Sequence, residues 1–215
     1  AMWTANKIAI VCFAFIAGVA GNSASCPSGA TLFFSQFQEA SSGNNKYWQI
    51  YNPTSAAISL AGYSIGYCTN GCATANTFEY GQAFATGASI AAGGTYTVCN
   101  SGLTNRAGCN EEHGFPSATT YNGDDFVALI NLPSYTTADA TNIVDQIGLF
   151  STTDPGLAWP VCGTGSGLDT RNGRLIRSPT THCGEATGAA FDGTALSVHH
   201  CPWTESPQQS LSVAA

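Results

Sequence analysis

The chain has 215 residues, of which 44% are hydrophobic and only 9% charged, and it carries a formal net charge of −7. A length of this order points to one domain, with or without extensions, and the hydrophobic content supplies a sizeable core. Six basic side chains against 13 acidic ones exclude a phosphate-reading surface, so no nucleic acid partner is expected and anionic membrane surfaces are disfavoured.

A polar start with Lys7 precedes an apolar run over residues 8–20 and then Gly21-Asn22-Ser23-Ala24. Such a run is shorter than the roughly 20 residues of a membrane-spanning helix, so no stable membrane span is expected. It fits a secretory signal peptide cleaved near Gly21 or Ala24. The alternative is a retained apolar N-terminal segment that packs against a neighbouring subunit.

Beyond residue 24 no helical periodicity of useful length occurs. Short β-rich runs alternate with Gly, Asn, Pro and Ser, the pattern of an all-β sandwich. Residues 31–37 predict a first strand and residues 47–51 a second, in which Trp48 and Ile50 share one face and Tyr47, Gln49 and Tyr51 the other. Further strands are expected at 58–64, at 77–80 and towards the end of 89–98. The Asn122-Gly123 turn leads into the almost wholly apolar run 126–130, which reads as a central strand. Residues 143–150 predict the next strand, and Arg171-Asn172-Gly173-Arg174 a tight turn before Leu175-Ile176. Residues 100–120 and 151–170 read as inserted loops, and the end of the chain from Ser206 as a loose tail. The expected organisation is an N-terminal segment at 1–24, a sandwich at 25–182 and a cysteine-tethered extension at 183–215.

Cys12 lies inside the apolar run. Cys26, Cys68, Cys72, Cys99, Cys109, Cys162, Cys183 and Cys201 form an even set of eight, which implies up to four disulfides in an oxidising compartment. Many pairings are open; the local choice is Cys68–Cys72, Cys99–Cys109 and Cys162–Cys183, with Cys26–Cys201 tying the ends together.

The stretch Ser42-Gly43-Asn44-Asn45-Lys46-Tyr47-Trp48-Gln49-Ile50-Tyr51-Asn52-Pro53-Thr54 is followed, in order, by Leu60-Ala61-Gly62-Tyr63, Ala91-Ala92-Gly93, the run 121–130, Val144-Asp145-Gln146-Ile147-Gly148 and Leu175-Ile176-Arg177-Ser178-Pro179. This ordered set resembles the lamin tail domain, over residues 31–179. The resemblance implies an immunoglobulin-like β-sandwich and a family defined by its fold, not by one chemistry. Its motif positions here are Asn44, Asn45, Tyr51, Asn52, Pro53, Asn122, Gly123, Asp124, Asp125, Asp145 and Gly148, with structural roles. Gln49 stands where the family usually carries Glu, so any ion pair made by that acid is absent.

Candidate chemistry is sparse. His113, His182, His199 and His200 lie near cysteines, but their spacing matches no compact zinc finger and an oxidising compartment favours disulfides over thiolates. Asp124-Asp125 with Asp145 offer oxygens to calcium, yet nothing supplies six ligands at a recognisable spacing, and Asn122-Gly123-Asp124-Asp125 is more simply a capped turn. The loop Gly163-Thr164-Gly165-Ser166-Gly167 lacks the lysine of a phosphate loop, and Ser166 lacks the glycine two places before it that a nucleophile elbow needs. Asn52-Pro53-Thr54 is blocked by its proline as a glycosylation acceptor. No catalytic, cofactor or metal site is expected, and the chain is not read as an enzyme. The aromatics Trp48, Tyr51, Tyr63, Tyr67, Tyr80 and Trp203 fit strand packing, with sugar stacking as the other reading.

These observations predict a secreted, disulfide-stapled, non-catalytic structural or binding protein that acts by protein–protein contacts, itself included among the partners. One alternative is the subunit of an extracellular filament or coat, with residues 8–20 donated to a neighbour's sheet edge. A second is a carbohydrate- or cell-surface-binding module.

Overall fold

The computed structural model describes residues 32–39, 43–114, 119–179, 181, 183–194 and 201–206. Short aromatic and β-branched runs between Gly, Asn and Pro turns form its strands. In chain order they are β1 (Phe33–Gln38), β2 (Tyr47–Tyr51), β3 (Ile58–Ser59), β4 (Ser64–Cys68), β5 (Tyr80–Ala83), β6 (Ser89–Ile90) and β7 (Thr95–Asn100). There follow β8 (Glu111–His113), β9 (Phe126–Ile130), β10 (Ile143–Ile147), β11 (Pro160–Val161), β12 (Leu168–Asp169), β13 (Arg174–Arg177) and β14 (Trp203–Ser206). One sheet has the order β14-β13-β1-β2-β7-β8 and the other β10-β9-β4-β5, with two-stranded ribbons β3-β6 and β11-β12 beside them. All pairs are antiparallel except β7 with β8. The architecture is an immunoglobulin-like sandwich with disulfide-stapled loop insertions.

Between the sheets, Trp48 and Ile50 of β2 meet Ile65 and Tyr67 of β4 and Val127 and Leu129 of β9. Strand alternation alone does not build this core. Phe34 and Phe37 are three residues apart and would face opposite sides of a regular strand; a register shift between Phe34 and Gln36 lets both enter the core. A second shift, between Ile143 and Asp145, does the same for Val144 and Ile147.

The four-stranded sheet is covered on its other face as well. Phe126, Ala128 and Ile130 point away from the core into a second cluster with Phe78 and Ile143. The rings of Phe78, Phe126 and Phe150 stack there at 4.5 to 6.0 Å. A Cβ on Gly66 would lie 2.3 Å from the Phe78 ring, so the lid needs glycine beneath it. Burial on both faces is the reason the run 126–130 carries no polar alternation.

The structure corrects several expectations. Residues 58–64 are not one strand: Ser59 caps a 3-10 turn, Leu60–Gly62, which carries the chain from the β3 ribbon to β4 in the other sheet. The strand expected at 77–80 starts only at Tyr80. The chain from 183 onward, expected as an extension, supplies Ala190, Phe191 and Trp203 to the main core, and the segment ending at Ser206 is the edge strand β14. The Cys68–Cys72 and Cys99–Cys109 bridges are present. Cys162, however, is bonded to Cys201 and not to Cys183, which also rules out the Cys26–Cys201 pairing. Cys162 directly follows β11 and Cys201 leads into β14, and the fold brings their Cα atoms to 5.5 Å at a sequence separation of 39. Cys183 is itself disulfide-bonded, and Cys26 lies outside the described residues.

Candidate functional site

Two sheets facing each other bury any polar group on an inner strand face, and each must then find a partner. The shift in β10 turns Asp145 into the interior, where it is completely shielded. Its Oδ2 accepts from the Phe34 N–H at 2.7 Å and from the Arg177 guanidinium, and its Oδ1 accepts from the Glu185 N–H at 2.7 Å. Arg177 Nε donates to the Phe34 carbonyl at 3.0 Å, and the guanidinium lies 4.0 Å from the centre of the Trp203 ring. Burial pushes the Asp145 carboxyl up, and Arg177 with the backbone N–H groups pulls against that push. The pair bolts β10 of one sheet to β1 and β13 of the other.

A second anchor is Asp125, 2% exposed. Its carboxylate accepts from the N–H groups of Asn70 at 2.8 Å and Asn122 at 2.5 Å and from the Tyr67 hydroxyl at 3.2 Å. Its carbonyl accepts from Trp159 Nε1 at 3.0 Å. Gly148, at φ +85°, leaves room for that indole, since a Cβ there would come within 2.7 Å of Trp159 Nε1. Burial raises the Asp125 carboxyl to about 6, against the pull of the two N–H groups.

The remaining motif positions organise turns. The Asn52 amide donates to the carbonyls of Ala56 at 2.8 Å and of Ile90 and Ala91 at 3.1 Å, and its Oδ1 accepts from the Thr54 N–H and hydroxyl. Pro53, half-buried, follows it in that turn. Asn44 accepts from the Lys46 N–H at 2.8 Å, and Asn45 Oδ1 accepts from the Thr104 N–H at 3.3 Å. The Tyr51 ring meets Phe33 edge-on at 5.5 Å.

Sequence reasoning missed a third anchor. Lys46 lies 3.7 Å from Glu39 and donates to the Tyr121 carbonyl, and the Tyr121 hydroxyl sits 2.7 Å from the Gln38 and 2.8 Å from the Tyr47 carbonyl oxygens. It also missed Glu111, which accepts from the Ala85 N–H at 2.7 Å and the Tyr96 hydroxyl at 2.9 Å. Glu111 lies 3.6 Å from His113, so this cluster closes the open side of the sandwich between β5 and β8. Rarity was the available signal: in a chain with 9% charged residues, an acid or lysine beside a strand of aromatics is conspicuous.

The calcium candidates do not form a ligand cage. Asp125 and Asp145 spend their oxygens on the partners just named, and Asp124 Oδ1 is buried without a protein partner. Among the described residues no three His, Cys, Asp or Glu side chains converge on a metal-sized site. His113 belongs to the closing cluster, whereas His182, His199 and His200 lie outside the described residues. Ser166 donates to the carbonyls of Val161 and Gly163 and holds its own loop. That loop and residues 155–160 border a shallow groove of about 430 Å³ over which Leu157 is exposed. No described helix is long and apolar enough to cross a membrane.

The outer face of the six-stranded sheet is different in kind. Gln49 Oε1 accepts from Ser35 Oγ at 2.9 Å and from Gln36 Nε2 at 3.2 Å, and Gln49 Nε2 donates to Thr97 Oγ1 at 3.0 Å. The Tyr47 hydroxyl donates to Gln36 Oε1 at 2.9 Å. Hydrogen bonds thus run across β1, β2 and β7 without a charge. Ser35, Gln36, Gln49, Tyr51 and Ile176 are half-exposed, and Thr95 and Thr204 exposed.

Internal anchors, loop bridges and an uncharged hydrogen-bonded face define a rigid immunoglobulin-like module of the binding or structural kind. The lamin tail domain model matches residues 26–150, more than half of the chain. The chain belongs to the lamin tail domain family, whose members are non-catalytic immunoglobulin-like domains. No curated protein is similar enough to count as a match.

Proposed function

We propose that the chain is a secreted, non-catalytic module that acts by protein–protein contacts through its rigid sandwich. The observation that carries this reading is the division of its polar groups. Nearly every buried acid is committed to holding loops and sheets together, while the open sheet face presents neutral amides and hydroxyls already fixed in place. Such a face is pre-organised for contact and loses little side-chain entropy on docking. Disulfides at Cys68–Cys72, Cys99–Cys109 and Cys162–Cys201 are consistent with an oxidising, extracellular location. Cross-linking of natively produced protein, followed by mass spectrometry of captured partners and a free-thiol count, tests the reading. Specific partners and no free thiol outside the N-terminal segment support it. A protein that is reduced in its native compartment and captures nothing overturns it.

A filament reading is favoured by one observation. Among the described residues no strand pairs with the outer edge of β14, whereas the Glu185 segment lies against β10 and the cluster around Glu111 closes β5 onto β8. A strand from residues 8–20 of a neighbour would extend the sheet there and give a contact that does not close. Electron microscopy of native material decides: regular fibres that retain residues 8–20 support it, and monodisperse particles that start near residue 25 refute it.

A further inference from the structure

We propose that two copies of this chain pair face to face through the outer surface of the six-stranded sheet, with Gln49 close to the twofold axis; the proposal rests on the contact-module reading. The first argument is satisfaction. A polar face can be buried at low cost only when its donors and acceptors already have partners, because each orphan left by desolvation costs free energy. The Ser35, Gln36, Gln49, Thr97 and Tyr47 side chains satisfy one another across three strands. A face built to read sugar hydroxyls would keep its donors free, so this arrangement favours a dry protein contact over a glycan.

The second argument is charge, and it selects the occupant. With a net charge of −7, two copies repel each other over most of their surfaces. The accessible row Thr204, Ile176, Gln36 and Gln49 crosses four paired strands and holds no ionisable group, and Thr97, 3% exposed, continues it on β7 as a buried partner of Gln49. Arg174 borders it and donates to Ser206 Oγ at 2.9 Å. A twofold contact places the same patch on both partners, so a neutral patch is the one place where an acidic protein meets itself without penalty. The size is modest. Four strands about 4.8 Å apart and some five residues long cover roughly 300 Å² per copy, less than half of the ~800 Å² that a stable interface buries on each side. The dimer is therefore reversible and forms at high local concentration.

Sedimentation velocity on the full chain, over a concentration series reaching the millimolar range, reads the self-association directly. The wild type is expected to form a concentration-dependent dimer. Gln49→Glu and Gln49→Lys, each placing like charges across the axis, are expected to weaken it about tenfold or more, and an equimolar mixture of the two to restore it. Thr204→Glu and Thr204→Lys, on the exposed edge strand, repeat the test without touching the side-chain hydrogen bonds of Gln49; they keep it decisive where the Gln49 variants fail to fold by circular dichroism. A wild type that stays monomeric throughout, or charge variants that associate as it does, overturns the proposal. A monomeric wild type that captures a different protein in a manner sensitive to Gln49→Glu overturns the second copy as occupant and leaves the contact-module reading intact. Loss of both self-association and capture removes both.

Discussion

Replacing Arg177 by methionine removes the guanidinium that faces Asp145 while keeping a side chain of similar reach over Trp203. Asp145 is then a fully buried carboxylate with only the Phe34 and Glu185 N–H groups left to it. Breaking a buried ion pair from one side costs about 3–5 kcal/mol, because the surviving charge keeps its desolvation penalty and loses its partner. The Phe34 carbonyl also loses the Arg177 Nε donor. Against a total stability of about 5–15 kcal/mol for a domain, that change removes a large fraction of the fold's margin. Urea denaturation followed by tryptophan fluorescence measures it, with a lower midpoint at unchanged slope as the expected signature. The double variant Asp145→Leu with Arg177→Met replaces both charges by apolar groups, and such replacements are often close to neutral. The double variant is therefore expected to be more stable than Arg177→Met alone, with a coupling of about 2 kcal/mol or more in the cycle. An Arg177→Met protein within 1 kcal/mol of wild type, or two single changes that simply add, would falsify the claim that this pair fastens the sheets together.

Asn52→Ala leaves the Ala56, Ile90 and Ala91 carbonyls without their amide donor and is expected to cost about 2–4 kcal/mol, read as a fall in the urea midpoint. Asp125 holds its proton more tightly in the folded chain, about 6 against an ordinary 3.8, so its own contribution to stability is fully present below about pH 4 and is lost as pH rises towards 6. That decline is at most about 3 kcal/mol, and Asp125→Asn is expected to flatten it in melts across this window; an unchanged slope would exclude Asp125 as its source. Removing the Cys162–Cys201 bridge by a Cys→Ser pair frees a loop of 39 residues and is expected to cost about 4 kcal/mol, against about 2 kcal/mol for Cys68–Cys72, which spans four. Equal losses in paired melts would show that loop length does not govern these bridges.

The parts of the fold legible in the sequence are those that local rules determine. The aromatic run Tyr47–Tyr51 between its Asn turns is a strand, and the Asn122-Gly123 turn announces the apolar strand behind it. What escaped is what depends on distant chain. Residues 58–64 look like one strand because nothing local reveals that Ser59 will cap a turn and send the chain to the other sheet. The short run of β2 does not reveal which side faces the core, because both sides are covered: Trp48 and Ile50 by the other sheet, Tyr47 by Leu103 and the Cys99–Cys109 bridge. The same loss of locality produced the wrong partner for Cys162, since shortest chain distance is a poor guide when a distant edge strand lies next to it.

The candidate site shows how far a motif can carry physical content before its partner is known. Val144-Asp145-Gln146-Ile147-Gly148 and Leu175-Ile176-Arg177-Ser178-Pro179 are separate motifs about thirty residues apart, and the structure joins them as the two ends of one buried ion pair. Neither segment alone implies that contact. Asp145 in a strand of apolar residues, and Arg177 two places after buried Leu175, each put a charge on an inward-facing position, which few sequences tolerate singly. Two such positions of opposite sign in a chain so poor in charge are mutually explanatory: each meets much of the cost of burying the other, and backbone groups of Phe34 and Glu185 meet the rest. Five charged side chains, Glu39, Lys46, Asp125, Asp145 and Arg177, are buried in this way as bolts between sheets and loops, while the row of Ser35, Gln36 and Gln49 on the outer sheet face is joined by neutral amides and a hydroxyl.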